Sequence, residues 1–392
     1  MLGGILIKEM VFSLGFILYL CGMFLFCDWA SYRSFVYVFL FLLPVLLFSK
    51  ERGLWKGLFS YAVVRMYLLI LFFSAFSLLW SDASGFSYVR HIVGMLMFGL
   101  SLLLLSRAYP ALIMRCLGVS AIVAALSAIY GLVSFYIIPS NLGSRFIVDS
   151  GLLSHTILAS FVYGFFFIVA IYLWRSSHYS GVRAVFLVSS VVLLVYLIFA
   201  QSRGVLLAVF CAVVCDILLR CEKYRWVYVI LLVLFVSVMT YLNQEYFLDR
   251  GWSYRIDLWV SGVMMGVDNF WFGRGIYSDY TVTVDSGLYW DHPHNIFVKI
   301  FIDIGALGLL LWCGVWALAC RGLLCLKNDV EVKFLGVSLI IFSMVAGMFD
   351  GDGPFVKPRE VWFISWLPLV LCIIWSLEGE GFSRVRKDAH DK

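Results

Sequence analysis

The sequence predicts an all-α polytopic membrane protein of about twelve transmembrane helices with one large, partly helical outer loop. Three observations carry that expectation. Apolar residues make up 63% of the 392 residues and charged ones 14%, where a soluble domain averages about 45–50% and about 25%. Mean hydropathy is +0.98. The apolar residues fall in long runs, as from Tyr67 to Trp80 and from Trp226 to Tyr241, without the alternation over about 10 residues of a transmembrane barrel strand. In lipid each peptide group must be satisfied within its own segment, which a helix achieves. This composition excludes a water-soluble globule, a disordered chain and a disulfide-stapled secreted fold.

Hydropathy breaks place the spans near 10–27, 34–48, 57–80, 89–105, 111–138, 153–174, 184–200, 204–219, 226–242, 296–320, 334–349 and 361–377, against the roughly 20 residues that a bilayer demands. The first run, Met10 to Phe26, lacks a small-residue cleavage site and reads as an uncleaved first span. The ten cysteines form no Cys-x-x-Cys and sit mostly inside apolar runs, where a thiol packs as a small hydrophobe. Connections are short except 243–295, which is polar and rich in Trp and Tyr; a segment of that length and composition reads as an ordered functional loop. Its apolar spacing from Ile256 to Phe270 predicts a short helix. The expected organisation is transmembrane helices over 1–242, the outer loop over 243–295, further transmembrane helices over 296–377 and a tail over 378–392.

Basic residues assign the sides. Lys8, Lys50, Arg52, Lys56, Arg107, Arg175, Arg183, Arg220, Lys223, Arg225, Arg321, Lys327, Lys333 and the tail residues Arg384, Arg386, Lys387 and Lys392 alternate onto one face of the membrane. The opposite short loops hold only Arg33, Arg90, Arg145, Lys357 and Arg359. That bias places both termini in the cytoplasm and the long loop outside. No P-loop is present, so ATP hydrolysis by this chain is not expected, and no segment points to nucleic acid.

Three polar clusters lie at the outer ends of spans. In Ala200-Gln201-Ser202-Arg203-Gly204, Arg203 sits at the membrane boundary, where a snorkelling arginine is the plain alternative to a functional one. In Ser253 to Trp259, Arg255 and Trp259 share a helix face, so that Arg255 either stacks on Trp259, pairs with Asp257 or Asp249, or serves a ligand. Gly273-Arg274-Gly275, further along, reads as a turn. The third cluster, Asp291-His292-Pro293-His294-Asn295, gathers two of the six histidines directly before a span. Imidazole titrates near neutrality and suits a general base. A His-x-His with one nearby Asp lacks the further ligands of a metal centre, so neither a metal nor another cofactor is expected. Ionisable groups read as mid-span are few, Arg65 and Arg115 with His155 as a further candidate.

Taken together, a Ser-Arg-Gly step at the outer end of a middle helix, an Arg-x-x-x-Trp early in a large outer loop and a His-x-His-Asn closing that loop resemble the O-antigen ligase and polymerase superfamily. The pattern continues with a glycine-spaced helix, here Asp303-Ile304-Gly305-Ala306-Leu307-Gly308, and covers roughly 200–369; the first six helices match only in hydropathy. The resemblance implies a multi-span glycosyltransferase of the GT-C type whose donor is an undecaprenyl-pyrophosphate-linked glycan. A ligase passes that glycan to lipid A–core oligosaccharide at the periplasmic face of the bacterial inner membrane. Carried over by motif, Arg203 and Arg255 bind the pyrophosphate and His294 is the general base. Arg274, Arg359, His292 and Asn295 are secondary candidates. The implied reaction is an inverting, metal-independent single displacement, with guanidinium forks neutralising the leaving group. A polymerase shares the motif set but uses a lipid-linked acceptor, and a glycoprotein oligosaccharyltransferase would carry a further outer domain. A transporter or flippase would concentrate ionisable residues near the midplane instead.

Overall fold

The computed structural model describes residues 2–48, 55, 57–83, 88–141, 146, 151–220, 223–242, 254–284, 287–327 and 329–379. Lys50, Arg52, Lys56, Arg145, the loop residues Asp249, Trp252 and Ser253, and the tail from 380 onward lie outside the described residues. Nine helices precede the outer loop: α1 (Leu2–Leu25), α2 (Trp29–Phe48), α3 (Ala62–Leu79), α4 (Val89–Ala108), α5 (Pro110–Tyr136), α6 (Thr156–Ser176), α7 (Ser180–Ala200), α8 (Arg203–Arg220) and α9 (Arg225–Leu242). The loop holds α10 (Arg255–Val267) and a hairpin of β1 (Val282–Thr283) and β2 (Tyr289–Trp290). After it come α11 (Ile296–Leu324), α12 (Val330–Phe349) and α13 (Trp366–Gly379), the last entered through a 3-10 turn at Glu360–Ile364.

Every predicted span is a helix, and the short helix expected within the loop is α10. Among the described residues ten helices are long and apolar enough to cross a membrane. Of the other two, α8 carries Arg203, Asp216 and Arg220, and several side chains of α9 lie outside the described residues. Boundaries move by a few residues. α1 starts well before residue 10 because Lys8 and Glu9 are good helix formers and continue the helix. α2 widens into a π-turn over Val36–Leu42 ahead of Pro44, whose ring clashes with the carbonyl four residues back in a regular α-helix.

The final span is wholly buried and Thr156–Ser176 is 78% buried, so these two sit at the centre of the bundle. At one end, Arg175 of α6, Asp216 and Arg220 of α8 and Glu331 of α12 form a continuous ion network. From there α8 climbs about 26 Å to Arg203, at 1.5 Å per residue. The expected mid-span charges turn out to lie near helix ends. Arg65 is in the first turn of α3 and bonds the Ser60 carbonyl, Arg115 is exposed near Glu9, and His155 caps α6. Lipid tolerates charge there because the side chain reaches water or a partner.

The glycine-spaced helix implied by the resemblance is interrupted. α11 breaks at Ile304 (φ −132°) and Gly305 (φ +67°, ψ −171°). The outer loop satisfies the freed peptide groups: the Arg274 and Gly275 amides donate to the Ile302 and Asp303 carbonyls, each at 2.8 Å. The Ala306 and Leu307 amides donate to the Phe270 and Trp271 carbonyls at 2.7 and 3.3 Å. Gly273-Arg274-Gly275 is therefore a wedge in a broken helix and not an ordinary turn. A Cβ on Gly305 would lie 2.4 Å from the Trp271 backbone. Gly305→Ala is expected to cost about 2 kcal/mol or more, measured as a lowered Tm of the purified protein. Gly181→Ala, with nothing within 4 Å of the added Cβ, should melt like the native chain; equal melting of the two variants would refute the wedge.

Candidate functional site

α7 ends at Gln201 in left-handed backbone (φ +51°), and a turn through Ser202 starts α8 at Arg203. The next residue must be glycine, because its Cβ would stand 2.5 Å from that of Phe349 at the end of α12. The Ser-Arg-Gly step thus lets the start of α8 meet the end of α12. Arg255 is the first residue of α10, whose N-cap Tyr254 (φ +56°) makes no side-chain bond to the helix amides. Asn295 caps α11, its Oδ1 accepting from the Phe297 and Val298 amides at 2.9 and 3.2 Å. His294 stands just before that cap in left-handed backbone, φ +50°. For a residue with a side chain this conformation is uncommon and is held by its surroundings.

These elements surround a cavity of about 450 Å³ whose wall includes Arg203, Arg255, His294, Asp350, Tyr254, Trp290 and His155. The three residues expected to act together, distant in the chain, line one space. α6, α8 and α10 begin at its wall, and α11 begins two residues past His294, so positive helix ends converge where an anion would sit. Arg203 and Arg255 are half-buried. Among the described residues Arg255 does not pair with Asp257 or stack on Trp259, which meets Phe349 instead at 6.0 Å.

His294 Nδ1 lies 2.8 Å from Asp350 Oδ1. Burial alone would raise the Asp350 carboxyl, but the hydrogen bond and charge of His294, the Gly351 amide and Arg255 together hold it below its ordinary value. An ionised Asp350 fixes the proton on Nδ1 and leaves Nε2 as the basic atom of the ring. Sequence reading missed Asp350, which lies 56 residues from its partner. Its only trace was the Asp350-Gly351-Asp352-Gly353 run closing an apolar span. Asp291, the acid that the motif contained, is exposed. The His292 ring stands 4.2 Å from that of His294, and burial, then His294, push its imidazole below the usual range.

Residues 188–313, which include Arg203, Arg255 and His294, match the O-antigen ligase family. Over 240 residues the chain is 26% identical to an O-antigen ligase of Pseudomonas aeruginosa, an overlap covering 61% of this chain. Over this region the chain is similar to the O-antigen ligase family. It spans 59% of the length of that curated relative.

Not every residue that the superfamily pattern suggested reaches the cavity. Arg274 belongs to the wedge in α11, 4.0 Å from Asp268. Arg359 pairs with Asp352 at 3.0 Å and Glu360 at 3.1 Å. Asn295 is buried and acts as a helix cap. His292, His294 and Asp350 offer three ligand atoms within 4.8 Å of one another and could hold a metal ion. The motif alone had supplied too few donors for that, and Asp350 adds one. The direct His294–Asp350 hydrogen bond already engages two of the three residues, and an ion bound there would compete with it.

Proposed function

We propose that this chain is an O-antigen ligase, transferring a glycan from undecaprenyl pyrophosphate to lipid A–core oligosaccharide at the periplasmic face of the inner membrane. The observation carrying this reading is the convergence of Arg203, Arg255 and the His294–Asp350 pair on one cavity among helix N-termini. The likeness to a curated ligase supports the choice of ligase over polymerase. The Arg and Lys residues at the far end of α8, among them Arg175, Arg183, Arg220, Lys223 and Arg225, support the cavity end facing outward, by the excess of basic residues in cytoplasmic loops.

In this mechanism an acceptor hydroxyl enters the cavity beside His294. Its oxygen bonds to sugar C1 from the face opposite the pyrophosphate, while the C1–O bond breaks and its electron pair leaves with the diphosphate. The hydroxyl proton passes to His294 Nε2, and ionised Asp350 stabilises the imidazolium. Guanidinium forks from Arg203 and Arg255 bind the charge that grows on the leaving group. Inversion at C1 follows from the single displacement. Tyr254 and Trp290, 5.8 Å apart at the wall, offer ring faces for a sugar.

Purified protein in detergent, given a defined lipid-pyrophosphate glycan and lipid A–core, should form a slower-migrating lipopolysaccharide band, and adding a chelator should not abolish it. Elongation of the lipid-linked glycan with no transfer to core would make the chain a polymerase. Turnover confined to sealed vesicles would make it a transporter.

A further inference from the structure

Three cations lie together away from the cavity, at the outer ends of α2 and α4 and in the segment before α13. α2 and α4 meet where Tyr37 packs on Gly94, 3.6 Å from its Cβ position. They meet again at Phe41 and Phe98, 5.9 Å apart. Arg33 sits one turn before Tyr37 and Arg90 one turn before Gly94. Trp362 packs on both Phe41 and Phe98, and its Nε1 donates to the carbonyl of Val356, the residue before Lys357. Packing of the three elements thus gathers Arg33, Arg90 and Lys357. Partial burial, then Arg33 and Arg90, push the Lys357 ammonium below its ordinary value.

The same three charges act on His91, which is only 7% exposed with both ring nitrogens unpaired. His91 is flanked by Tyr88 and by Tyr277, whose buried hydroxyl is also unpaired. Buried polar groups are ordinarily satisfied, and like charges gathered without a counter-ion repel one another. Among the described residues no acidic group forms an ion pair with the three. Asp28, within electrostatic reach of Arg33, is exposed and occupied in capping the Ser31 amide. What the cluster lacks is an oxyanion with several acceptors, which fits a phosphate. Its level fits a headgroup, since Arg33 lies over the Trp29 ring at 5.8 Å and Trp marks the membrane interface. Seven residues join Asp350 of the cavity to Lys357, a reach of at most ~25 Å of extended chain.

We propose that Arg33, Arg90 and Lys357, with His91 and Tyr277, form a binding site for a lipid-borne phosphate group, separate from the donor cavity. That the occupant is the phosphorylated acceptor lipid rests on the ligase reading; an anionic phospholipid offers the same chemistry. The test is native mass spectrometry of the purified full-length chain with diphosphoryl lipid A, enzymatically dephosphorylated lipid A, and phosphatidylglycerol. Arg33→Gln/Arg90→Gln/Lys357→Gln should weaken diphosphoryl lipid A binding about tenfold or more, leave binding of the dephosphorylated form unchanged, and be matched by no loss in Lys357→Arg. If phosphatidylglycerol binding falls as steeply, the phosphate site stands with a membrane phospholipid as its occupant. If the triple variant binds both phosphorylated lipids as the native chain does, the site is refuted. Because the readout is binding, a chain that binds phosphate but never transfers glycan would retain this site and end the ligase reading.

Discussion

His294→Ala is expected to lower glycan transfer by about 10²–10⁴-fold, the usual contribution of a positioned base, while donor binding stays near native. The separation of the two effects follows from the geometry. His294 shares the cavity with the arginines but holds its own partner, Asp350, at 2.8 Å. Removing the imidazole therefore leaves the proposed pyrophosphate contacts in place. Because His294 has φ +50°, a second variant guards against a folding artefact. Asn tolerates left-handed backbone well, so His294→Asn should keep the native Tm and still fail to transfer. Asp350→Asn should fall between the native chain and His294→Ala, since it takes away the ionised acceptor that orients the ring and fixes its Nδ1–H tautomer but leaves the ring. Single-turnover gel assays check all three, and native turnover in His294→Asn would place the base elsewhere.

Arg203→Lys and Arg255→Lys should each reduce kcat/KM for the lipid-linked donor by about 10²–10³-fold, the range for losing a preorganised donor to developing negative charge. Charge survives these substitutions and the fork does not. An ammonium cannot bond two diphosphate oxygens in one plane. The two losses should combine to less than their product, because in the proposed mechanism both guanidinium groups clamp one leaving group and act as a unit. The acceptor KM should be unaffected. A Lys variant of near-native kcat/KM would reduce that arginine to a surface charge at the membrane boundary.

Much of this arrangement could be read from residue order. Arg203, Arg255 and His294 sit in short local motifs at helix starts, so their elements were recognisable from neighbours within a few positions. Asp350 was not, since its pairing with His294 is created by the docking of the end of α12 against the starts of α8 and α11. The same holds for the break in α11. Gly305 looked like one more small residue in a helix, and its left-handed backbone makes sense only with Phe270 to Gly275 inserted beside it. Arg274 and Arg359, plausible anion ligands on sidedness alone, are engaged by Asp268 and by Asp352 and Glu360.

Lipid permits so few backbone solutions that composition and the lengths of the apolar runs were enough to establish a multi-span helical protein, its element order and its long polar loop. They could not say which helix lies against which, because the spans are apolar nearly all round and any two would bury similar surface. That choice rests on contacts between distant segments, such as glycine against Phe349 and loop amides against the carbonyls of a broken helix. Those contacts turn scattered charges into one cavity.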